Sequence, residues 1–75
     1  SKPMSVEELK KQAAEKAVEQ VKSGMVLGLG TGSTAKYATM KIGELWQAGA
    51  LTDIVAIPTG EGTAALARQY GLPLV

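Results

Sequence analysis

Gly28-Leu29-Gly30-Thr31-Gly32-Ser33-Thr34 is the stretch on which the fold turns. Before it stands Met25-Val26-Leu27-Gly28-Leu29, an apolar run bounded by glycines, too short for a helix and suited to a buried parallel strand. After it, Ala35, Ala38, Ile42, Leu45 and Trp46 recur at three- and four-residue steps, the spacing of one helix face, until Gly49 closes the segment. Strand, glycine-rich loop and helix in direct succession begin a βαβ unit.

Working outward, residues 5–22 place Val6, Leu9, Ala13, Ala17 and Val21 on one helical stripe with Glu and Lys between them. Ser5 followed by Glu8 has the spacing of a capping box, in which each side chain satisfies a free amide of the first turn, and Gly24 marks the stop. Toward the other end, Ile54-Val55-Ala56-Ile57 predicts a second buried strand and Pro58 to Gly62 a turn. Thr63 to Tyr70 predicts a third helix capped by Gly71, and Leu72 to Val75 the beginning of a third strand. This order implies an α/β fold: a parallel sheet with helices on both faces and a Rossmann-like βαβ start, incomplete at the carboxyl end. Residues 1–75 are expected to be the amino-terminal part of a single α/β domain, ending inside an element as a truncated piece or proteolytic fragment does. Because both strands are apolar on both faces, an edge and part of one face are expected to lie uncovered.

Composition narrows the chemistry. At 45% hydrophobic and 20% charged, the 75 residues describe a globular chain with room for one domain at most. Without Cys or His there is no disulfide, no thiolate, no common zinc site and no histidine base in this segment, and no metal is expected. No basic start precedes a long apolar run, so neither a secretory signal nor a membrane span is read. Eight basic and seven acidic residues give net +1, and nine of these charges, mixed in sign, fall within residues 1–22. That pattern is a solvated helix face rather than the one-signed stripe of a nucleic-acid surface, for which a single Arg and no Phe are also poorly suited.

The loop itself suits an anion. Ligands of open parallel sheets bind beyond the carboxyl ends of the strands, where this loop falls. Glycines at 28, 30 and 32 let the backbone approach an anion closely, while amides at the helix start point outward with the positive end of the dipole. Thr31, Ser33 and Thr34 add hydroxyl donors, and with Gly32 they form a candidate phosphate cradle. A Walker loop would need Lys and then Ser or Thr after its last Gly, yet Gly32 is followed by Ser33-Thr34. A dinucleotide fingerprint would need a sixth-position Gly where Ser33 stands, and Asp53 precedes the second strand instead of ending it. No P-loop is read, a nicotinamide-binding reading is weakened twice, and the expectation is of no cofactor. The plainer alternative is that these glycines and hydroxyls only cap a helix and tighten a turn.

The string from Gly28 to Ala35 resembles the GxGTGSTA signature of the ribose-5-phosphate isomerase A family. The likeness extends to the Glu8-Leu9-Lys10-Lys11 helix, to Pro58-Thr59 through Thr63, and to Tyr70-Gly71-Leu72-Pro73-Leu74. One departure is Gly60, where the family usually carries Ser. The resemblance implies an aldose–ketose isomerase of the pentose phosphate pathway that interconverts ribose 5-phosphate and ribulose 5-phosphate through an enediol, using a carboxylate and no metal. It implies a cytoplasmic homo-oligomer, with a plastid version of the parent also open, and no nucleic-acid or membrane partner. The family's Asp-Gly-Ala-Asp motif, Lys-Gly-Gly-Gly segment and catalytic Glu are not in these residues, so no catalytic residue is assigned here.

Resemblance adds Lys10 to the substrate-binding set, since the matching first-helix lysine can reach the sugar phosphate, although its neighbours also suit plain solvation. Glu61 is read as a solvated carboxylate near the third helix start, where negative charge suits the dipole. Tyr37 and Trp46 are read as packing residues. A sugar-phosphate-sensing domain of a transcriptional repressor is the alternative function, although no DNA-binding helical unit precedes Ser5. A glucosamine-6-phosphate deaminase or lactonase relative is a third reading.

Overall fold

Two parallel strands and three helices are described over residues 3–75 by a computed structural model. The order is α1 (Val6–Val18), β1 (Val26–Leu29), α2 (Ser33–Gln47), β2 (Val55–Pro58) and α3 (Glu61–Gln69). Strand β1 pairs with β2 in parallel, Val26 opposite Val55 and Leu29 opposite Pro58. A parallel bridge of Ala56 to Leu74 extends the order beyond β2. Where a third strand was expected at residues 72–75, that isolated bridge is what the structure has.

The start of α1 follows the sequence: Ser5 accepts from the Glu8 amide at 3.1 Å, and Glu8 Oε1 accepts from the Ser5 amide at 3.2 Å. Its end and its inner face do not. The helix stops at Val18 rather than Lys22, and Gly24 at φ +90° belongs to the turn that leads into β1. Val6 and Leu9, expected inside, are 66% and 51% exposed, whereas Ala14 and Val18 are buried. Lys10, Ala14 and Val18, four residues apart, form the inward row. Alanines at 13, 14 and 17 make two adjacent stripes look alike, and the neighbouring helix decides which one is covered.

The core gathers Val18, Leu27, Leu29, Ile42, Leu51, Ile54, Ala56, Ala67 and Leu72, with Trp46 and Tyr70 packed against it. At Gly43 of α2 a Cβ would overlap the Tyr70 ring, so the absence of a side chain is what lets Tyr70 lie against the helix. Exposure alternates along β1: Leu27 and Leu29 face the core, Val26 is 64% exposed and Gly28 is open. Ile57 of β2 is likewise 44% exposed. One face of the strand pair is thus open and apolar among the described residues, as expected from strands apolar on both sides. No described helix is long and apolar enough to cross a membrane.

Candidate functional site

Two loops meet at the carboxyl ends of the parallel strands. The first, Gly30 to Gly32, joins β1 to α2, and Gly32 sits at φ +97°, ψ 165° as the residue before the helix. A side chain there would be strained, so glycine is what permits the turn. No side chain caps this helix start. The Lys36 amide is engaged, donating to the Gly32 carbonyl at 2.9 Å, but the earlier amides of the first turn are left for another acceptor. Thr31, Gly32, Ser33 and Thr34 are all exposed.

The second loop joins β2 to α3 and is stitched to the first by threonines. Thr59 donates both its amide, at 3.1 Å, and its hydroxyl, at 2.7 Å, to the Leu29 carbonyl. Thr63 donates its hydroxyl to the Gly30 carbonyl at 3.1 Å. Gly60 lies so close that a Cβ on it would stand 3.0 Å from Thr31 Cγ2. These bonds tie the strand ends and both loops into one unit, which lowers the entropy to be lost when a ligand is gripped.

A groove of about 480 Å³ opens beside the loops, lined by Thr31, Gly32, Lys36, Thr39, Thr63 and Gln69 among others. Lys36 brings a positive charge to it, and none of the lining residues is acidic. The Thr39 hydroxyl is buried without a hydrogen-bond partner, an uncommon state for a polar atom. Of the residues singled out from sequence, Thr31 and Gly32 reach this groove, while Ser33 and Thr34 stand on the first turn of α2 outside its lining. Lys10 does not line it either. Its Nζ lies 3.5 Å from Glu7 Oε1, and Glu7 Oε2 accepts a 2.8 Å hydrogen bond from the Tyr37 hydroxyl on α2. The Tyr37 bond, then Lys10 and Lys36, hold the Glu7 carboxyl below its ordinary pKa; the same bond raises the Tyr37 phenol.

Lys36, Thr59 and Thr63 escaped the reading of the sequence as site residues. The two threonines could have been found, because they flank Gly60-Glu61-Gly62 at the end of the second strand, the position at which the first loop was recognised. The sequence suggests a packing role for Tyr37, whereas in the structure its hydroxyl bonds a carboxylate thirty residues away. Glu61 is exposed as the first residue of α3. Among the described residues no three acidic side chains gather closely enough to hold a metal ion.

No family model matches the chain. Its relatives are nonetheless consistent with one another. It is 60% identical over 72 residues to "Probable ribose-5-phosphate isomerase 3, chloroplastic" of Arabidopsis thaliana, covering 96% of this chain and 26% of that protein. It is 56% identical over 71 residues to ribose-5-phosphate isomerase A of Desulfatibacillum aliphaticivorans, covering 95% and 31%. A solved D-ribose-5-phosphate isomerase in complex with phospho-erythronic acid superimposes with a TM-score of 0.93 at 42% identity, over 96% of this chain and 31% of that one. The ribose 5-phosphate isomerase of Plasmodium falciparum gives 0.89 at 46% identity, over 93% and 30%. The chain thus spans under a third of the length of these relatives.

Proposed function

We propose that these 75 residues, which belong by sequence and by fold to the ribose-5-phosphate isomerase A family, supply the phosphate-gripping loop of an enzyme interconverting ribose 5-phosphate and ribulose 5-phosphate. The carrying observation is the uncapped start of α2 behind Gly32: the first-turn amides and the helix dipole are left free of any side-chain cap, and Thr31, Ser33 and Thr34 stand exposed beside them. Thr31, Gly32, Ser33 and Thr34 bind the substrate through its phosphate or the oxygens beside it, and Lys10 adds charge from α1. That a matched isomerase was solved with phospho-erythronic acid supports an anionic, hydroxylated ligand.

In the whole protein a carboxylate outside these residues takes the proton from C2 of the aldose. The C2–H electron pair forms a C1=C2 double bond and the carbonyl pair moves onto O1, giving the enediolate; the acid then returns the proton to C1 while the O2 hydroxyl proton passes to O1, leaving the ketone at C2. Donors near the oxygen stabilise that charge as it develops. The present residues hold the far end of the sugar, so that the reacting carbons meet the base in a fixed pose. No residue of the chain is assigned as catalytic, and residues 1–75 alone are inactive. They form the amino-terminal part of a single α/β domain of a homo-oligomer. It works in the pentose phosphate pathway, in the cytoplasm or, as the chloroplastic relative allows, in a plastid. A repressor's sensor domain is not supported, since relatives 56–60% identical to this chain are isomerases by name.

The test is direct. The purified full-length parent, given ribose 5-phosphate, forms ribulose 5-phosphate in a carbon NMR assay, and phospho-erythronic acid competes with substrate. An inactive, verified parent contradicts the proposal.

A further inference from the structure

We infer that Tyr37 is a positioning residue for Lys10, acting through the two oxygens of the Glu7 carboxylate. Each oxygen is committed to a different helix: Oε2 accepts from the Tyr37 hydroxyl of α2 at 2.8 Å, and Oε1 faces Lys10 Nζ on α1 at 3.5 Å. One carboxylate therefore fixes the ammonium relative to the helix whose first turn carries Ser33 and Thr34. Two hydrogen-bond lengths and one carboxylate width put Lys10 Nζ within about 9 Å of the Tyr37 hydroxyl. Tyr37 stands one helical turn beyond Ser33, so the carboxylate links the ammonium to the same helix whose first-turn amides are uncapped.

Burial agrees with this role. Lys10 heads the inward row that continues with Ala14 and Val18, and its side chain is 35% exposed, against 78% for Lys16 further along the same helix. A lysine stem loses several rotamers when it is fixed, and that loss is met before a ligand arrives if the head is already tethered. The tether is also soft. An exposed ion pair at 3.5 Å holds the ammonium weakly enough for a phosphate, with its larger charge, to take it over. Tyr37 leaves a further trace in the exposed carboxyl of Glu7, which its bond holds below the ordinary value with help from Lys10 and Lys36.

The inference rests on the proposed binding role of Lys10, and a double-mutant cycle in the full-length parent separates the two. Wild type, Lys10→Met, Tyr37→Phe and the double variant are assayed with ribose 5-phosphate, and thermal melts check folding. Tyr37→Phe should raise KM roughly threefold to tenfold with kcat little changed, the scale of one loosened hydrogen bond. In the Lys10→Met background it should change KM no further. Equal KM effects of Tyr37→Phe in both backgrounds would show that Tyr37 supports the fold alone and overturn the inference while leaving the role of Lys10 standing. A Lys10→Met enzyme with unaltered KM would remove Lys10 from the site and overturn both. If Tyr37→Phe lowers the melting temperature sharply, Glu7→Gln gives the second reading: it keeps an acceptor for Tyr37, loses the pull on Lys10, and should reproduce the KM effect without the melt.

Discussion

The Thr59 hydroxyl donates to the Leu29 carbonyl across 2.7 Å, joining the start of the second loop to the last residue of β1. The Thr59 amide donates to the same oxygen, so removal of the hydroxyl leaves the carbonyl satisfied but the two loops joined by one bond fewer. Thr59→Val should therefore cost about 1 kcal/mol, the net value of a typical intramolecular hydrogen bond, visible as a lower melting temperature of the parent. A variant as stable as wild type would show that this stitch carries no weight.

Gly43 and Tyr70 make a stricter test of packing. A methyl group at 43 would overlap the Tyr70 ring, and Tyr70 cannot retreat freely because the Gln47 amide donates to its carbonyl at 3.2 Å. Gly43→Ala should destabilise by roughly 1–3 kcal/mol, the cost of overpacking a close contact, against the small gain expected from alanine in an open helix. Denaturant titration distinguishes the two signs. Pairing the variant with Tyr70→Ala should recover part of the loss.

The Glu7–Tyr37 bond also sets a pH dependence. A carboxyl whose folded pKa is depressed stabilises the fold above its unfolded pKa, and that contribution is lost as pH falls through the folded value. The Tyr37 phenol is raised, so its contribution is present below its unfolded pKa and is lost as pH rises through the folded one. The link between α1 and α2 should hold across the whole range between. An NMR titration should find Glu7 titrating below the ordinary glutamate value, and Tyr37→Phe should move that midpoint upward. A midpoint indifferent to the substitution would mean that the bond is not made in solution.

Met25, Val26 and Ile57 are 40%, 64% and 44% exposed on or beside the open face of the strand pair. At ~25 cal/mol per Å² of apolar surface, a few hundred Å² left in water forfeits several kcal/mol, comparable to the whole stability of a small domain. Residues 1–75 alone should self-associate or unfold readily. Sedimentation equilibrium should report species larger than a monomer at high micromolar concentration. A monomer that melts cooperatively above about 60 °C would count against this.

Much of this was legible in the chain because local rules agree there. The Ser5–Glu8 box, the glycine-rich loop between strand and helix, and the apolar row of α2 each follow from neighbours a few residues apart. The inner face of α1 was not, because Val6 and Leu9 look more apolar than Ala14, yet Ala14 and Val18 are the residues the fold buries. Helix bounds shifted for a related reason. α3 begins at Glu61 rather than Thr63 because extended Gly60 ends the turn early and its carbonyl takes the Ala64 amide at 3.0 Å. The pairing of Tyr37 with Glu7 joins residues thirty apart, and no spacing rule within one helix reaches that far.

The most direct test of the phosphate-gripping loop is the affinity of the full-length parent for phospho-erythronic acid, measured by calorimetry before and after Thr34→Ala. Loss of one hydroxyl donor facing a charged oxygen should weaken binding by about 1–3 kcal/mol, roughly fivefold to 150-fold, with the melting temperature of the free protein unchanged. Unaltered affinity in a folded Thr34→Ala protein would contradict the assignment of this loop to the ligand.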